Sequence, residues 1–567
     1  MSRAAAAASE KLAPPASLAN GRAVWIEADG RPESTLVDAW EGWGTSLCWW
    51  AAWAGKISNT LYFESLMDHL FTYDKGLGLN IVRYNIYGGS DPGDKGLFRD
   101  YAGEDGFWPG PDAPFDWSRD APQRRVLFAA LARGVTTVEA FSNSPPAWMT
   151  VSGKAVGGLS GTADNLRSDM VPRFAHYLCR VLAYYETQGV TFASLSPFNE
   201  PLATWWCYEA NKQGFQEGCH HSVATQVAVL DAVREQLRLQ KLAEPRLVAS
   251  EDWSPGWTRD TLQAGGDQLW SRVDQVNTHG YGAMNRKDRA ELGDLCRRHR
   301  VPLWLSEVGF PHAGLEGLIE LAEHIILDIT AMRCSAWIYW QALEQWGDWG
   351  MIHQSLREDD PQTIALTSKY HGMKHFTHHI RPGARLLQPH FPHGSAPVGL
   401  LMARGPPQLG TRRAPSVAPS GASDPPTSTK QQPLVVVVCH PDLAVPRDVY
   451  LRVHERLLPH GLQTVADVYR SDAGGLYTAL SARVAPQAWR IVPPGEAAVL
   501  AAQAARLRGH RPWWRRAACA VWHALAACFM PRAVTASAEK PGLAPDAPTL
   551  LLQLRVEPQS LTTFTFY

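Results

Sequence analysis

Two glutamates stand where a folded chain can use carboxylates for chemistry. Glu200 lies in Ser196-Pro197-Phe198-Asn199-Glu200-Pro201, directly after the apolar run 190–195. That run has the length and flanks of a buried strand, and Pro201, with no amide to donate, ends it. Glu307 repeats the design: 301–305 is apolar, Ser306 and Glu307 follow, and Gly309 permits a sharp turn. Barrel enzymes place their reacting groups at the carboxyl ends of parallel strands. A lone Asn-Glu-Pro reads equally well as a solvated loop. Two stretches of one design read as a pair in which one carboxyl protonates a leaving oxygen and the other attacks carbon.

Such a pair needs a scaffold that brings distant strand ends together. Strand-like segments at 37–44, 79–87, 136–141, 190–196, 246–250, 275–278, 302–306 and 335–340 alternate with helical patterns. Val171, Phe174, Leu178, Val181 and Tyr185 recur at the spacing of one helical face, as do Leu318, Leu321, Ile325, Ile329 and Met332. Eight strands with intervening helices predict an α/β fold, a (β/α)8 TIM barrel over 37–383. Residues 1–21 read as a disordered N-terminus, and 22–36 as strands joining a side β-sandwich. The remainder, 384–567, predicts that C-terminal β-sandwich, with 549–556 and 561–567 as a hairpin. Within it, 404–433 is rich in Pro, Ser, Gly and Thr and reads as a flexible linker.

Residues 506–545 form an insertion. Its apolar stretch after Trp513-Trp514-Arg515-Arg516 is too short to span a bilayer. It reads first as a helix packed on the sandwich or a disordered excursion, and second as a weak membrane-surface contact through 513–530. A net charge of −1 gives no field that favours nucleic acid, and no apolar run predicts a transmembrane span. The alanine-rich opening is interrupted by Glu10 and Lys11, so no signal peptide is read. The nine cysteines match no zinc-site spacing, and neither a metal nor a cofactor is expected. Cys207 and Cys219 could brace the loop after strand four as a disulfide, or stay as thiols in a reducing compartment.

Polar and aromatic residues gather at the same end of nearly every predicted strand. Thr45 and Ser46 follow strand one, Arg83 lies in the closing stretch of strand two, and Asn143 and Trp148 follow strand three. Trp205 and Trp206 come after Glu200, His279 and Tyr281 after strand six, and Trp340 at strand eight. Singly, each has a bland reading as packing or a structural ion pair. Together, beside Glu200 and Glu307, they predict one cleft.

The combination resembles glycoside hydrolase family thirty, retaining enzymes with a (β/α)8 barrel and a side β-sandwich. Within it, Gly42-Trp43-Gly44-Thr45-Ser46-Leu47, Ser142-Asn143-Ser144-Pro145-Pro146-Ala147-Trp148-Met149, Trp205-Trp206 and Gln216-Glu217-Gly218-Cys219-His220 are most similar to endo-β-1,6-galactanases. The resemblance implies Glu200 as acid/base and Glu307 as nucleophile. It implies that Arg83 keeps Glu307 ionised, Tyr281 donates to it, and Asn199 binds the hydroxyl beside the anomeric carbon. Trp340 would floor the reacting subsite, and Trp148, Trp205, Trp206 and His279 are further substrate-binding candidates. Thr45, Ser46 and Asn143 are the polar candidates for reading the axial hydroxyl of galactose. Glu200 should have a raised pKa through burial and the neighbouring Glu307. The expected partner is a β-linked oligo- or polysaccharide, β-1,6-galactan foremost. Alternatives are β-1,6-glucan, xylan or glucosylceramide, or a silent carbohydrate-binding protein. The resemblance also implies an extracellular or secretory location.

Overall fold

The computed structural model describes residues 23–28, 35–89, 105–208, 216–344, 348–354, 363–389, 399–405, 434–441, 447–454, 466–472, 475–480, 489–492, 549–556 and 560–566. The predicted disordered terminus 1–21, most of the linker 404–433 and the insertion 506–545, with its stretch 513–530, lie outside the described residues.

Two strands, β1 (Ala23–Ala28) and β2 (Thr35–Val37), precede a closed barrel. Its staves are β3 (Gly42–Ser46), β4 (Ile81–Asn85), β5 (Thr137–Phe141), β6 (Ser194–Ser196), β7 (Arg246–Asp252), β8 (Gln275–His279), β9 (Leu303–Val308) and β10 (Ala336–Tyr339). Every neighbouring pair is parallel, and β10 returns to β3. The predicted start at 37 is corrected: Val37 belongs to β2, Asp38 and Ala39 are exposed at a turn, and the stave begins at Gly42.

Helices cover the barrel with the faces that the periodicity predicts. Val171, Phe174, Leu178, Val181 and Tyr185 are all buried on helix Val171–Thr187. Leu318, Leu321 and Ile325 are buried on helix Gly314–Leu327, which widens into a π-turn carrying Ile329 and Met332. The final helix follows the short strand Ala365–Leu366. Thr367 caps it by accepting from the Tyr370 amide, so it spans Ser368–Thr377.

After β10, three short strands form a small sheet: β11 (Leu343–Glu344), β12 (Ile352–His353) and β13 (Ala365–Leu366). The side β-structure follows, made of β14 (Arg385–Leu387), β15 (Gly399–Arg404), β16 (Leu434–His440), β17 (Arg447–His454), β18 (Ala466–Asp472), β19 (Gly475–Leu480), β20 (Trp489–Val492), β21 (Thr549–Val556) and β22 (Ser560–Phe566). They form two sheets, ordered β19-β18-β22-β16-β15-β14-β2 and β1-β17-β21-β20. Each sheet therefore contains one N-terminal strand. The seven-stranded sheet lies against helices Gly314–Leu327 and Ser368–Thr377. β21 and β22 do not form the predicted hairpin. Each has a full-length antiparallel partner elsewhere, β21 along β17 and β22 along β16, so the chain changes sheets between them.

Candidate active site

The barrel interior carries charge where most cores are apolar. Arg83 on β4 is in register with Glu139 on β5, which is in register with Ser194 on β6. All three are fully buried. The Arg83 Nε donates to Glu139 at 2.8 Å, and the Ser194 hydroxyl donates to the same carboxylate at 2.8 Å. Burial raises the Glu139 carboxyl, against the pull of Arg83, and nearby Glu251 adds to the rise.

Two bulges then re-aim side chains at the strand ends. Pairing of β7 with β8 shifts between Ser250 and Asp252, leaving Glu251 as the extra residue with φ of 62°. Pairing of β8 with β9 jumps from Thr278–Leu305 to His279–Glu307, leaving Ser306 as the extra residue. Regular alternation would point Ser306 and Glu307 to opposite faces. Here the Ser306 hydroxyl reaches Glu251 at 2.9 Å, while Glu307 reaches Arg83 at 3.2 Å. Glu200 also has a left-handed backbone, φ 48°, held by its amide donating to the Glu251 carbonyl at 2.8 Å. Such conformations cost about 1–3 kcal/mol in a non-glycine residue and persist where the surroundings enforce them.

The result is one cluster. A carboxylate oxygen from Glu200, one from Glu307 and a ring nitrogen of His279 all lie within 4.8 Å of one another. The Arg83 guanidinium is buried among three carboxylates, Glu139, Glu251 and Glu307, with its face 4.1 Å from the Phe141 ring centre. Tyr281 donates to Glu307 Oε1 at 3.0 Å. His279 faces Glu200 through Nδ1 at 3.2 Å and Glu251 through Nε2 at 3.0 Å. Burial lowers its pKa, but Glu307, Glu200 and Glu251 outweigh that and push it up to about 10, so it is an imidazolium. Burial lifts Glu307 above the usual carboxylate range, against the opposing pull of His279 and Arg83, with Glu200 and Glu251 adding to the rise. Arg83 is thus placed as the sequence predicts, but its charge does not offset burial. Glu251 ends below its ordinary value, because Arg83 and His279 overcome its burial.

The remaining predicted residues separate into those at the cluster and those set back from it. Trp205 Nε1 donates to Glu200 Oε2 at 3.2 Å. Asn199 is buried, and its amide oxygen has no partner among the described residues. Trp340 is partly buried and meets Trp49 edge-on at 5.0 Å. Asn143 is buried with its amide 3.6 Å from the Cys48 sulfur. Trp206 is buried, its indole donates to the Glu200 carbonyl at 2.9 Å, and Gly218 packs against its ring, so it holds backbone. Trp148 binds the Trp108 carbonyl at 3.1 Å. The Thr45 hydroxyl is shared between the carbonyls of Ser46 and Tyr339, and that of Ser46 accepts from the Cys48 amide. Cys207 and Cys219 are both free thiols, each beside a backbone carbonyl, so the disulfide alternative does not hold.

Sequence reasoning missed Glu139, Glu251, Trp253 and Trp257. Glu139 carried a signal, a lone charge inside the apolar strand 137–141. Glu251 did too, as an acid at the end of the strand-like segment 246–250.

The profile of O-glycosyl hydrolase family 30 matches residues 33–278. The endo-beta-1,6-galactanase of Hypocrea rufa is 33% identical over 368 residues, covering 61% of this chain and 73% of that protein. The exo-beta-1,6-galactobiohydrolase of Bifidobacterium longum subsp. longum is 22% identical over 497 residues, covering 63% of this chain and 32% of its own length. The catalytic domain of a family 30 xylanase C from Talaromyces cellulolyticus shares the fold, with a TM-score of 0.60 at 15% identity over 96% of this chain and 100% of that one. No helix among the described residues is long and apolar enough to cross a membrane. With two facing carboxylates at the carboxyl ends of barrel strands and this kinship, the chain is a glycosidase and belongs to O-glycosyl hydrolase family 30.

Proposed function

We propose that the chain cleaves β-1,6-linked galactan with retention of configuration, Glu307 attacking the anomeric carbon and Glu200 protonating the departing oxygen. The observation behind the mechanism is the placement of the carboxylate oxygens within 4.8 Å. Retaining enzymes set their carboxyl groups about 5–5.5 Å apart, whereas inverting enzymes need roughly 6.5–9.5 Å to seat a water. The substrate rests on the relative at 33% identity, named for β-1,6-galactanase action.

Residue roles follow from the contacts. Tyr281 and Arg83 each hold one oxygen of Glu307, fixing the carboxylate for in-line attack. His279 bridges Glu200 and Glu251, so the positive charge balances carboxylates while Glu200 gives and regains its proton. The unpartnered Asn199 oxygen, one residue before the acid, suits the hydroxyl next to the anomeric carbon, where a hydrogen bond can strengthen in the transition state. Trp340 offers an indole to the ring of the reacting sugar.

The test compares kcat/KM on β-1,6-galacto- and β-1,6-gluco-oligosaccharides of equal length, with the anomer first released followed by NMR. The galacto series should be preferred about 100-fold or more, because an epimer leaves buried polar groups unpaired. The first-formed anomer should be β. A gluco series cleaved as well would remove the substrate assignment, and an α product would remove the mechanism.

A further inference from the structure

Three indoles, Trp205 expected from the sequence and Trp253 and Trp257 missed by it, stand together beside Glu200. Trp205 lies in the loop after β6, Trp253 directly after β7, and Trp257 in the first turn of helix Pro255–Trp270. Trp205 and Trp257 are nearly parallel, 29° apart with ring centres 5.8 Å apart. Trp253 stands 6.0 Å from Trp205 and 5.8 Å from Trp257. We infer that this nest is the binding site for the sugar on the leaving-group side of the scissile bond, a neutral pyranose held by its C–H faces.

The side is set by the chemistry of Glu200, and the inference rests on its role as proton donor. The proton goes to the oxygen that departs, so groups bordering Glu200 away from Glu307 border the leaving sugar. Trp205 is such a group, with its indole N–H on Glu200 Oε2, while His279 occupies Oε1. Tyr281, which marks the nucleophile, stacks on the far edge of the nest, 6.3 Å from Trp253. The nest is therefore continuous with the cleft.

Two further features separate it from ordinary packing. Trp40, Trp43, Trp50, Trp53, Trp304 and Trp337 are sealed in the interior, whereas all three nest indoles stay partly exposed. The nest is also braced. Gly282, at φ 78°, lies against Trp253, and a Cβ there would come within 3.0 Å of the ring. Rigid, open aromatic surfaces suit a β-1,6 chain, whose exocyclic CH₂ makes it flexible, because a pre-set platform lowers the cost of ordering it.

The experiment uses Trp257→Ala, with Trp257→Tyr as the conservative control. It compares β-1,6-galacto-oligosaccharides with β-1,6-galactotriosyl fluoride, whose leaving atom carries no ring. For Trp257→Ala, kcat/KM on the oligosaccharide should fall about 30-fold, at least tenfold more than on the fluoride, and Trp257→Tyr should restore most of it. Equal losses on both substrates would make the nest structural and overturn the inference, as would no loss on either. A wild-type enzyme that cleaves neither substrate would instead sink the proposed function, and the inference with it.

Discussion

The two walls of the cleft are both aromatic and differ in what they leave open. On one side Cys48, Trp49, Tyr87 and Phe141 are buried as one cluster, with Trp340 packed on it. This wall comes from the ends of β3, β4, β5 and β10, and it abuts Arg83 through Phe141. On the other side Trp205 and Trp253 come from the loops after β6 and β7, Trp257 from the helix that follows β7, and all three remain partly exposed. The contrast separates two tasks. A sealed wall fixes the charges behind the nucleophile, since Arg83 can hold Glu307 only while its own face is packed and its other nitrogens are paired. An open wall can meet substrate chain of varying length.

The sharpest break of this comparison is Glu307→Gln. On the sealed side a loss should not depend on what leaves, so turnover should collapse on every substrate, on the order of 10⁶-fold as when a nucleophile is removed. Circular dichroism should report an unchanged fold. A variant that keeps more than about 1% of activity would mean that another group attacks.

Glu200→Gln should behave differently because it belongs to the open side. Losing the acid costs about 10²–10⁴-fold where the leaving oxygen needs a proton. With a 2,4-dinitrophenyl glycoside the first step should survive and the second should stall, giving a burst followed by slow turnover. Equal loss on activated and natural substrates would exchange the roles of the two glutamates.

Trp340→Ala tests the sealed wall alone. Removing a stacked indole should forfeit about 2 kcal/mol of contact, roughly thirtyfold in kcat/KM. The loss should be the same on an oligosaccharide and on the glycosyl fluoride. A loss confined to the oligosaccharide would put Trp340 on the leaving-group side.

Strand order and both glutamates were legible in the sequence because apolar runs ending in Glu carry a strong local pattern. Arg83 and Tyr281 were legible by position, Arg83 inside an otherwise uncharged strand and Tyr281 just after one. What escaped was made by register. Glu251 ended a strand-like run in plain view, but its aim and that of Ser306 come from bulges, and a bulge shifts pairing by one residue without a compositional mark. The β21–β22 hairpin failed for a related reason: short separation suggests pairing, but which sheet receives each strand depends on partners far away in the chain. Trp206 looked like a sugar platform from its neighbour, yet Gly218 leaves a slot that takes its ring inward.

The smallest expected effect concerns His279, which sits between the walls. Its charge lowers Glu307, while burial raises that carboxyl first and most. Attack requires Glu307 ionised, so activity is lost as pH falls through its folded pKa. His279→Gln removes a lowering influence, so the acidic limb of kcat/KM should move to higher pH. The same residue links charge to folding. Its pKa is raised from 6.5 to about 10 in the folded chain, so the stability it contributes is complete below about 6.5 and is lost as pH rises through about 10. Urea midpoints of the wild type should therefore decline across that window more steeply than those of His279→Gln. Parallel declines, with an unmoved acidic limb, would show that His279 is neutral and that Arg83 alone carries the positive charge beneath the two glutamates.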